Sequence, residues 1–470
     1  GDSRVRVTPQ LIRVADDTHL WSERYDRVLE DIFAVQTEIA THVIEQLNVT
    51  LLEPERAAIE THPTDNMLAY QAYLRGRDYA GRVGYSARLW RLAIEMFERA
   101  VELDPDFALA YTELANAHSG IFNMGAERTT EHIEKCKAAV DRALELQPDL
   151  PEARLALGYY YYHCHRDYDR ALEEFERAGA SLPNQEEILL HIGWIRRRQS
   201  RWDEALAHIN KSLELNPRDP HILFEIAITH SYLRNYKEAV EFFDRSIVLS
   251  PDQVSSYGMK ALTLWLAKAD LPPARAVLQQ VAGERQPMID ILLYWQYVME
   301  GEYDAGLELL ASGVMIYHMP DQSTAKPAAE GYLYDLMGDT VRARELYESA
   351  RELMERELTA RPGDSRVYSA LGSLYARLGR NEDAIRAAKK AVELTPVSAD
   401  ALRGPRFVDV LAWTYVLTGD HDPAIDLIDH LLSIPALASV PLFRIDPRWD
   451  PIRDNPKFQA VLKKHSKVSS

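Results

Sequence analysis

Residues 205–217 read ALAHINKSLELNP, and residues 239–251 read AVEFFDRSIVLSP. In both stretches a small residue, a bulky apolar residue, a second small residue and a proline follow one another at the same spacing. The shared positions are Ala205, Ile209, Ser212 and Pro217 in the first stretch and Ala239, Phe243, Ser246 and Pro251 in the second. The first three positions lie on one face of a helix. The proline ends that helix, because it cannot continue the ladder of backbone hydrogen bonds.

The same pattern recurs along the chain with a fixed period. Pro183, Pro217 and Pro251 are separated by 34 residues, and so are Pro362 and Pro396. A second amphipathic pattern precedes each copy, as at residues 368–375. Two amphipathic helices in each 34-residue period predict a helix–turn–helix repeat. We therefore predict an all-α fold, an α-α superhelix.

This pattern resembles the tetratricopeptide repeat (TPR), and the resemblance covers roughly residues 67–435. It implies a solenoid in which the small residues allow the two helices of a repeat to approach closely. We expect two sub-arrays, at residues 67–312 and 327–435, because a stretch rich in glycine, proline and polar residues separates them. The Pro- and Asp-rich residues 436–470 are predicted to cap the end of the array.

The N-terminal residues do not fit the repeat. Apolar and polar residues alternate over residues 5–14 and again towards Tyr25, which predicts a short β-hairpin within residues 1–30. Asp31 is the predicted N-cap of a connecting helix, residues 31–62. These stretches are similar to the end of a TolB-like α/β domain. Such domains precede TPR arrays in bacterial proteins that begin with a class III adenylate cyclase or a winged-helix domain. The motif DPRWDP at residues 446–451 is similar to the closing motif of those proteins.

Composition excludes several classes of function. The 470 residues include 54 basic and 72 acidic side chains, a net charge of −18, which argues against a nucleic-acid partner. No apolar run reaches the roughly 18 residues of a membrane span, so we expect no membrane segment within this chain. Two cysteines exclude a disulfide scaffold and fit a reducing compartment. We favour the cytoplasm, with the periplasm as the alternative.

The residues do not form a recognisable catalytic constellation. Phosphate-loop, nucleophile-elbow and zinc-protease motifs are absent from the sequence. The cluster His163-Cys164-His165 could suggest a metal site. However, adjacent helical residues point about 100° apart, so we interpret these three as residues at a helix end. Cys136 is interpreted as a small core residue. We expect no enzyme activity, no metal and no cofactor.

The resemblance implies that the first helix of each repeat lines a concave groove. The candidate groove residues are Asn116, Leu155, Tyr159, Tyr162, His163, Leu190, Trp194, Arg197, Arg198, Phe224, Ile228 and Tyr232. The same positions towards the end of the chain are Trp265, Arg366, Ser369, Ser373, Arg377, Arg406, Asp409 and Trp413. Clustered aromatic and arginine side chains are typical of interaction surfaces. They favour a protein or peptide partner with apolar anchors and some acidic character.

Two alternatives remain open for this groove. The aromatic side chains could instead be buried against the neighbouring repeat, or the helix from Asp31 to Leu52 could occupy the groove. Our main hypothesis is a non-catalytic binding module that forms the regulatory part of a larger bacterial signalling protein. The alternative is a structural scaffold that forms a homodimer through the N-terminal hairpin, since unpaired strand edges invite pairing.

Overall fold

The computed structural model describes most of the chain. The described residues are 4–13, 18–28, 32–47, 62–81, 87–124, 127–283, 286–311, 316–318 and 323–466. They form two compact units, Gly1–Pro183 and Asn184–Ser470. The predicted break between sub-arrays, residues 313–326, lies inside the second unit.

The N-terminal residues form the predicted hairpin. Its strands are β1 Arg4–Val7, β2 Gln10–Arg13, β3 Thr18–Ser22 and β4 Tyr25–Val28. β1 pairs antiparallel with β4, and β2 pairs antiparallel with β3. Helix α1, Ile32–Leu47, follows, and its His42 ring stacks on Trp21 with 5.6 Å between the ring centres. The predicted N-cap, Asp31, and the rest of the predicted connecting helix up to residue 61 lie outside the described residues.

The rest of the first unit consists of helix pairs. They are α2 Met67–Ala80, α3 Ala87–Leu103, α4 Ala108–Met124, α5 Thr130–Leu146, α6 Pro151–Tyr159 and α7 Tyr168–Ser181. A π-helical turn, Tyr160–His165, extends α6.

The second unit continues the same alternation of helices. Its first half contains α8 Glu186–Arg198, α9 Trp202–Leu215, α10 Pro220–Tyr232, α11 Tyr236–Leu249, α12 Val254–Lys268, α13 Leu271–Gln279, α14 Pro287–Glu300 and α15 Tyr303–Ala311. A two-stranded sheet, β5 Ile316–His318 and β6 Ser323–Ala325, follows. The second half contains α16 Lys326–Leu336, α17 Thr340–Ala360, α18 Ser365–Arg377, α19 Asn381–Leu394, α20 Gly404–Thr418, α21 His421–Ser433, α22 Val440–Ile445, a 3₁₀ helix Pro447–Ile452 and α23 Pro456–Ser466. The predicted all-α repeat fold with a short N-terminal hairpin is confirmed.

The turn inside each helix pair recurs at the repeat period. Arg166, Ser200 and Arg234, which are 34 residues apart in the sequence, all have a positive φ, between 54° and 64°. In later repeats the equivalent turns use glycine, as at Gly379 and Gly419, which adopts this conformation without a steric penalty. The left-handed turn therefore recurs with the same 34-residue period as the prolines.

The small residues of the repeat allow close packing of each helix pair. A Cβ atom added to Gly158 would lie 2.4 Å from Cε1 of Phe175, on the partner helix of the same repeat. Ala171 and Ala178 flank Phe175 on that helix, and all three side chains are buried. The aromatic ring thus fills the space that the glycine leaves within the same repeat.

The C-terminal residues pack onto the last repeat. Trp449, Phe458 and Leu462 are buried in one apolar cluster with Ile425 and Ile428 of α21. The Trp449 ring also meets Phe443 edge-on, with 5.1 Å between the ring centres.

Candidate functional site

In the first unit, the predicted groove residues lie on two neighbouring inner helices. Asn116 belongs to α4, Leu155 and Tyr159 belong to α6, and Tyr162 and His163 belong to the π-helical turn. Leu155, Tyr159 and Tyr162 are buried, whereas Asn116 and His163 are half-buried.

Hydrogen bonds and ring contacts bring these residues together. Nδ1 of His163 lies 3.3 Å from the hydroxyl of Ser119, and that hydroxyl donates to the backbone oxygen of Asn116 at 3.0 Å. The His163 ring stacks on Tyr159 and packs against Tyr162, with 5.3 and 5.0 Å between the ring centres. The π-helical turn places His163 here, and such turns are frequent at functional sites.

Polar groups continue from this cluster towards the first repeat. The amide nitrogen of Asn116 donates to Glu113 at 3.5 Å, and Nε of Arg77 lies 3.9 Å from the Glu113 carboxylate. The amide oxygen of Asn116 is buried and has no hydrogen-bond partner among the described residues. We call Arg77, Glu113, Asn116, Tyr159 and His163 the first-unit patch. In this patch, the amide oxygen of Asn116 is an acceptor that has no hydrogen-bond donor within the described part of the chain.

The predicted groove residues of the second unit are engaged in packing. Leu190 and Trp194 of α8 pack with Ile209 and Ile222. Phe224 and Ile228 of α10 pack with residues of α11, and the Phe224 ring meets Phe243 edge-on at 5.9 Å. The Trp194 ring contacts His191 and His221 at 4.4 and 5.7 Å. In this part of the groove, packing against neighbouring helices is thus the observed arrangement.

Arg197 forms a buried ion pair. Its guanidinium lies 2.6 Å from the carboxylate of Glu225, and both side chains are less than a tenth exposed. It also donates to the hydroxyl of Thr229 at 3.0 Å. Because a buried charge is tolerated when it is paired and hydrogen-bonded, this arginine connects α8 to α10.

Residues far along the sequence cover the end of this face. Arg198 donates twice to the carboxylate of Asp400, at 2.9 and 3.1 Å, and its backbone oxygen accepts from the amide of Ala401 at 2.8 Å. The Tyr232 hydroxyl donates to the backbone oxygen of Leu402 at 3.2 Å. We call these contacts the closure. Residues about 200 positions apart thus pair within the second unit, a contact that the repeat pattern does not predict.

A third set of hydrogen bonds extends the closure. Arg234 donates to the backbone oxygens of Leu431 and Ala438, at 3.0 and 3.3 Å. The helix α22 also packs against α12, where Leu442 joins the apolar cluster around Trp265. The inner helices of the second unit and its C-terminal residues therefore enclose a common interior.

This interior contains two neighbouring cavities, of about 250 and about 130 Å³. Both are lined by Ile291, Trp295 and Arg406. The larger is also lined by residues that include Met259, Leu262, Trp265, Met288, Leu292, Met299, Asp409, Leu442, Asp446 and Arg448. The smaller is also lined by residues that include Asp290, Tyr294, Tyr332, Arg366, Ser369, Ser373, Arg377 and Trp413. The positional rule for the concave face had named several of these residues, and Tyr232, one of the twelve favoured groove residues, also lines the larger cavity.

Two arginines organise the aromatic rings of this interior. Arg377 lies over the rings of Tyr332, Tyr347 and Trp413, at 4.5–5.1 Å from their centres. Arg448 lies 5.2 Å from the ring centre of Trp295. Such cation–π contacts strengthen when water is excluded. The two arginines thereby connect the aromatic side chains of this interior.

Sequence reasoning missed Arg448 as an interior residue, because it belongs to the predicted cap and not to a repeat. The bonds of Arg448 to Asp409 and Asp446 measure 3.0 and 2.7 Å. The motif DPRWDP could have pointed to Arg448. It places charged residues next to a tryptophan, and a charged side chain that is buried there needs charged or hydrogen-bonding partners.

The described residues also bear on the predictions about a metal site, Cys136 and a membrane segment. Among them, no group of three or more His, Cys, Asp or Glu side chains could hold a metal ion. Cys136 is buried, as predicted for a small core residue, and its thiol is hydrogen-bonded to Cys164, which together with burial raises the pKa of Cys136. Within the described ranges, no helix combines the length and the apolar composition that crossing a bilayer requires.

Comparisons with known proteins identify the repeats. Residues 190–254 and 329–396 each match a family model described as tetratricopeptide repeat. Over 177 residues the chain is 29% identical to putative adenylate cyclase 3 of Rhizobium meliloti, covering 37% of this chain and 29% of that protein. Over 163 residues it is 26% identical to anaphase-promoting complex subunit 3 of Schizosaccharomyces pombe, covering 35% and 23%. The chain thus spans less than a third of the length of these relatives.

The solved structures that resemble this fold include a thermophilic TPR protein of Thermus thermophilus. It is 17% identical, with a TM-score of 0.36, and the match covers 42% of this chain and all of that one. Tetratricopeptide repeats typically serve as non-catalytic protein-interaction modules. The matched stretches and the 34-residue period lead to one conclusion: this chain contains tetratricopeptide repeats.

Proposed function

We propose that this chain is a non-catalytic binding module that holds a peptide or a partner protein on the concave face of its repeats. We place the binding site on the first unit, at the first-unit patch. The observation that supports this placement is the amide oxygen of Asn116, which is buried and has no hydrogen-bond partner among the described residues. A buried acceptor that lacks a bond costs free energy, so a partner that donates to it gains affinity.

The neighbouring side chains suit a peptide. Tyr159 and His163 present stacked rings, which offer contact area at a low cost in side-chain entropy. Arg77 and Glu113 supply one charge of each sign. A peptide backbone amide could donate to the amide oxygen of Asn116 once that side chain turns towards the groove, while an apolar side chain packs near the rings.

We further propose that the module regulates a larger bacterial signalling protein. This proposal is supported by the similarity to putative adenylate cyclase 3. The region that matches this chain makes up 29% of the length of that protein. In this proposal the output domain belongs to the remainder of the longer protein, and the repeats carry the partner.

A peptide-display experiment tests the proposal. Linear peptides are selected on the full chain, and their affinities are measured by calorimetry. The double variant Asn116→Ala, His163→Ala should bind the selected peptides at least tenfold more weakly, a loss of about 1.4 kcal/mol or more. The control variant Glu95→Ala, Glu134→Ala changes two exposed side chains on the outer helices of the first two repeats and should bind normally. Equal affinities for the two variants would refute the site.

The hairpin supports a second candidate function, a dimerising scaffold. In the part of the chain that the structure describes, β1–β4 and β2–β3 are two-stranded sheets, so each strand has one edge without a neighbouring strand. A second copy could pair with such an edge. Light scattering tests this: a dimer that becomes a monomer when residues 1–30 are removed supports the scaffold, whereas a monomeric full chain excludes it.

A further inference from the structure

The larger cavity inside the second unit has the character of a ligand site. We propose that it binds a small, neutral, apolar molecule, a hydrocarbon chain or an aromatic ring system without a charged group. This site belongs to the second unit and is independent of the peptide site proposed for the first.

The wall of the cavity is largely hydrocarbon and sulfur. Met259, Leu262, Met288, Ile291 and Met299 line it and are only partly buried, because their side chains face the empty volume. Methionine is unbranched and polarizable, so it adapts to ligands of different shape. Leucine and isoleucine add apolar surface that a bound molecule would remove from water.

The tryptophan on this wall presents carbon rather than a donor. The indole N–H of Trp265 donates to the side-chain oxygen of Gln296 at 2.9 Å. The amide nitrogen of Gln296 donates in turn to the backbone oxygen of Leu271 at 3.0 Å. Because the N–H of Trp265 is already satisfied, a ligand needs no acceptor at this position.

The charged groups of the cavity neutralise one another. Arg448 bonds to Asp409 and Asp446 at 3.0 and 2.7 Å, and Arg406 bonds to Asp409 at 2.9 Å. Two arginines thus face two aspartates, and the net charge on the lining is zero. A charged ligand would have to break one of these pairs and leave a buried ion without its partner. The site therefore favours a neutral ligand.

The volume sets the size of the ligand. An apolar cavity of about 150 Å³ inside a protein can stay dry and bind benzene. The larger cavity here measures about 250 Å³, so it has room for a bicyclic aromatic molecule or an aliphatic chain of similar volume.

Two dyes with the same ring system test both the site and its charge preference. 1-Naphthylamine is neutral near pH 7, and 1-naphthylamine-8-sulfonate carries a sulfonate on the same bicyclic framework. Each is titrated into the full chain, and its fluorescence is recorded. We expect saturable binding of one neutral dye per chain, and at least tenfold weaker binding of the sulfonate. Absence of saturable binding, or equal affinity for both dyes, would overturn the proposal.

Two matched variants locate the dye. Met259→Trp fills the cavity and should weaken binding of the neutral dye at least tenfold. Met337→Trp makes the same change at a side chain that is 45% exposed on the surface, and should leave binding unchanged. Met288→Ala enlarges the cavity and should keep saturable binding, which provides a second readout where Met259→Trp does not fold. Unchanged binding by folded Met259→Trp, or binding lost in Met288→Ala while its thermal unfolding matches the wild type, would contradict the site.

Discussion

The two units use the same repeat but differ in the sequence distance over which their ionic contacts reach. In the first unit, Arg142 of one repeat pairs with Asp106 of the preceding repeat at 3.2 Å, 36 residues away. In the second unit, Arg198 pairs with Asp400, 202 residues away. The first pair is exposed and the second is buried. The comparison indicates that repeat packing is a local property of the sequence, whereas closure depends on the curvature that many repeats accumulate.

The strongest test of this difference removes Arg198. Arg198→Ala removes the charged partner of the Asp400 carboxylate, which is 2% exposed and then keeps the backbone amides of Leu402 and Arg403 as donors. Breaking a buried pair in this way costs about 3–5 kcal/mol. We expect the loss in the unfolding transition of the second unit, measured by urea titration followed by tryptophan fluorescence. Arg198→Lys keeps a charge and should cost less. A loss below about 1 kcal/mol would show that the closure contributes little.

The next test addresses what the two units share. Gly158 of the first unit and Gly193 of the second both face a bulky side chain, and an added Cβ would lie 2.4 and 2.5 Å from Phe175 and Ile209. Substituting either glycine by alanine should therefore overpack its helix pair and cost about 1–3 kcal/mol. The free energy of unfolding is measured for both variants.

A matched control uses a glycine without such a neighbour. Gly81 has φ of −68°, and an added Cβ would meet its nearest atom at an ordinary 3.4 Å. Gly81→Ala should change stability by less than about 1 kcal/mol, in the stabilising direction. If Gly158→Ala were as harmless as Gly81→Ala, close helix approach would not explain the small residues of the repeat.

The repeats could be predicted from the sequence because their determinants are local. The spacing of Ala205, Ile209, Ser212 and Pro217 reports helix faces and helix ends directly. The closure could not be predicted in this way. Asp400 reads as an ordinary polar residue before a helix, and nothing near it in the sequence specifies Arg198 as its partner. That pairing results from the summed rotation of the repeats between them.

The candidate sites follow the same division. Asn116, Tyr159 and His163 could be named as candidates because the inward positions of a repeat follow from its period. The interior of the second unit was found only in part, since Trp265 and Arg406 occupy such positions but Arg448 lies beyond the last repeat. Some inward positions line an empty volume, whereas others, such as Phe224, are packed. The difference depends on the distance between helices that lie far apart in the sequence.

A smaller effect concerns the response of the first unit to acid. Burial, together with nearby His132 and Lys135, lowers the pKa of His118 from 6.5 to about 3. The folded chain therefore keeps His118 neutral, while the unfolded chain takes up a proton below pH 6.5. The sign follows from linkage: the stability contributed by neutral His118 is present above pH 6.5 and is lost as the pH falls towards 3, by at most about 1.4 kcal/mol per pH unit.

The measurement compares His118→Gln with the wild type between pH 7.5 and 5. Glutamine does not titrate in this range, so the variant should lose less stability on acidification. His132, whose Nδ1 lies 2.9 Å from Nδ1 of His118, and Glu127, which bonds to His132 at 3.1 Å, remain in both proteins. Parallel pH profiles for the two proteins would show that His118 does not determine the response.

The smallest expected effect completes the comparison with Arg198. Arg142→Ala removes an ion pair whose arginine and aspartate side chains are 39% and 82% exposed. An exposed pair gains little, because water and salt screen the two charges. We expect a loss of at most about 1 kcal/mol in urea unfolding, and a smaller loss at 1 M salt. A loss as large as that of Arg198→Ala would contradict the distinction. Both pairs join an arginine to an aspartate at about 3 Å, but Arg198 donates twice and Arg142 once to its aspartate, so a difference between the two losses would come from burial together with the second hydrogen bond.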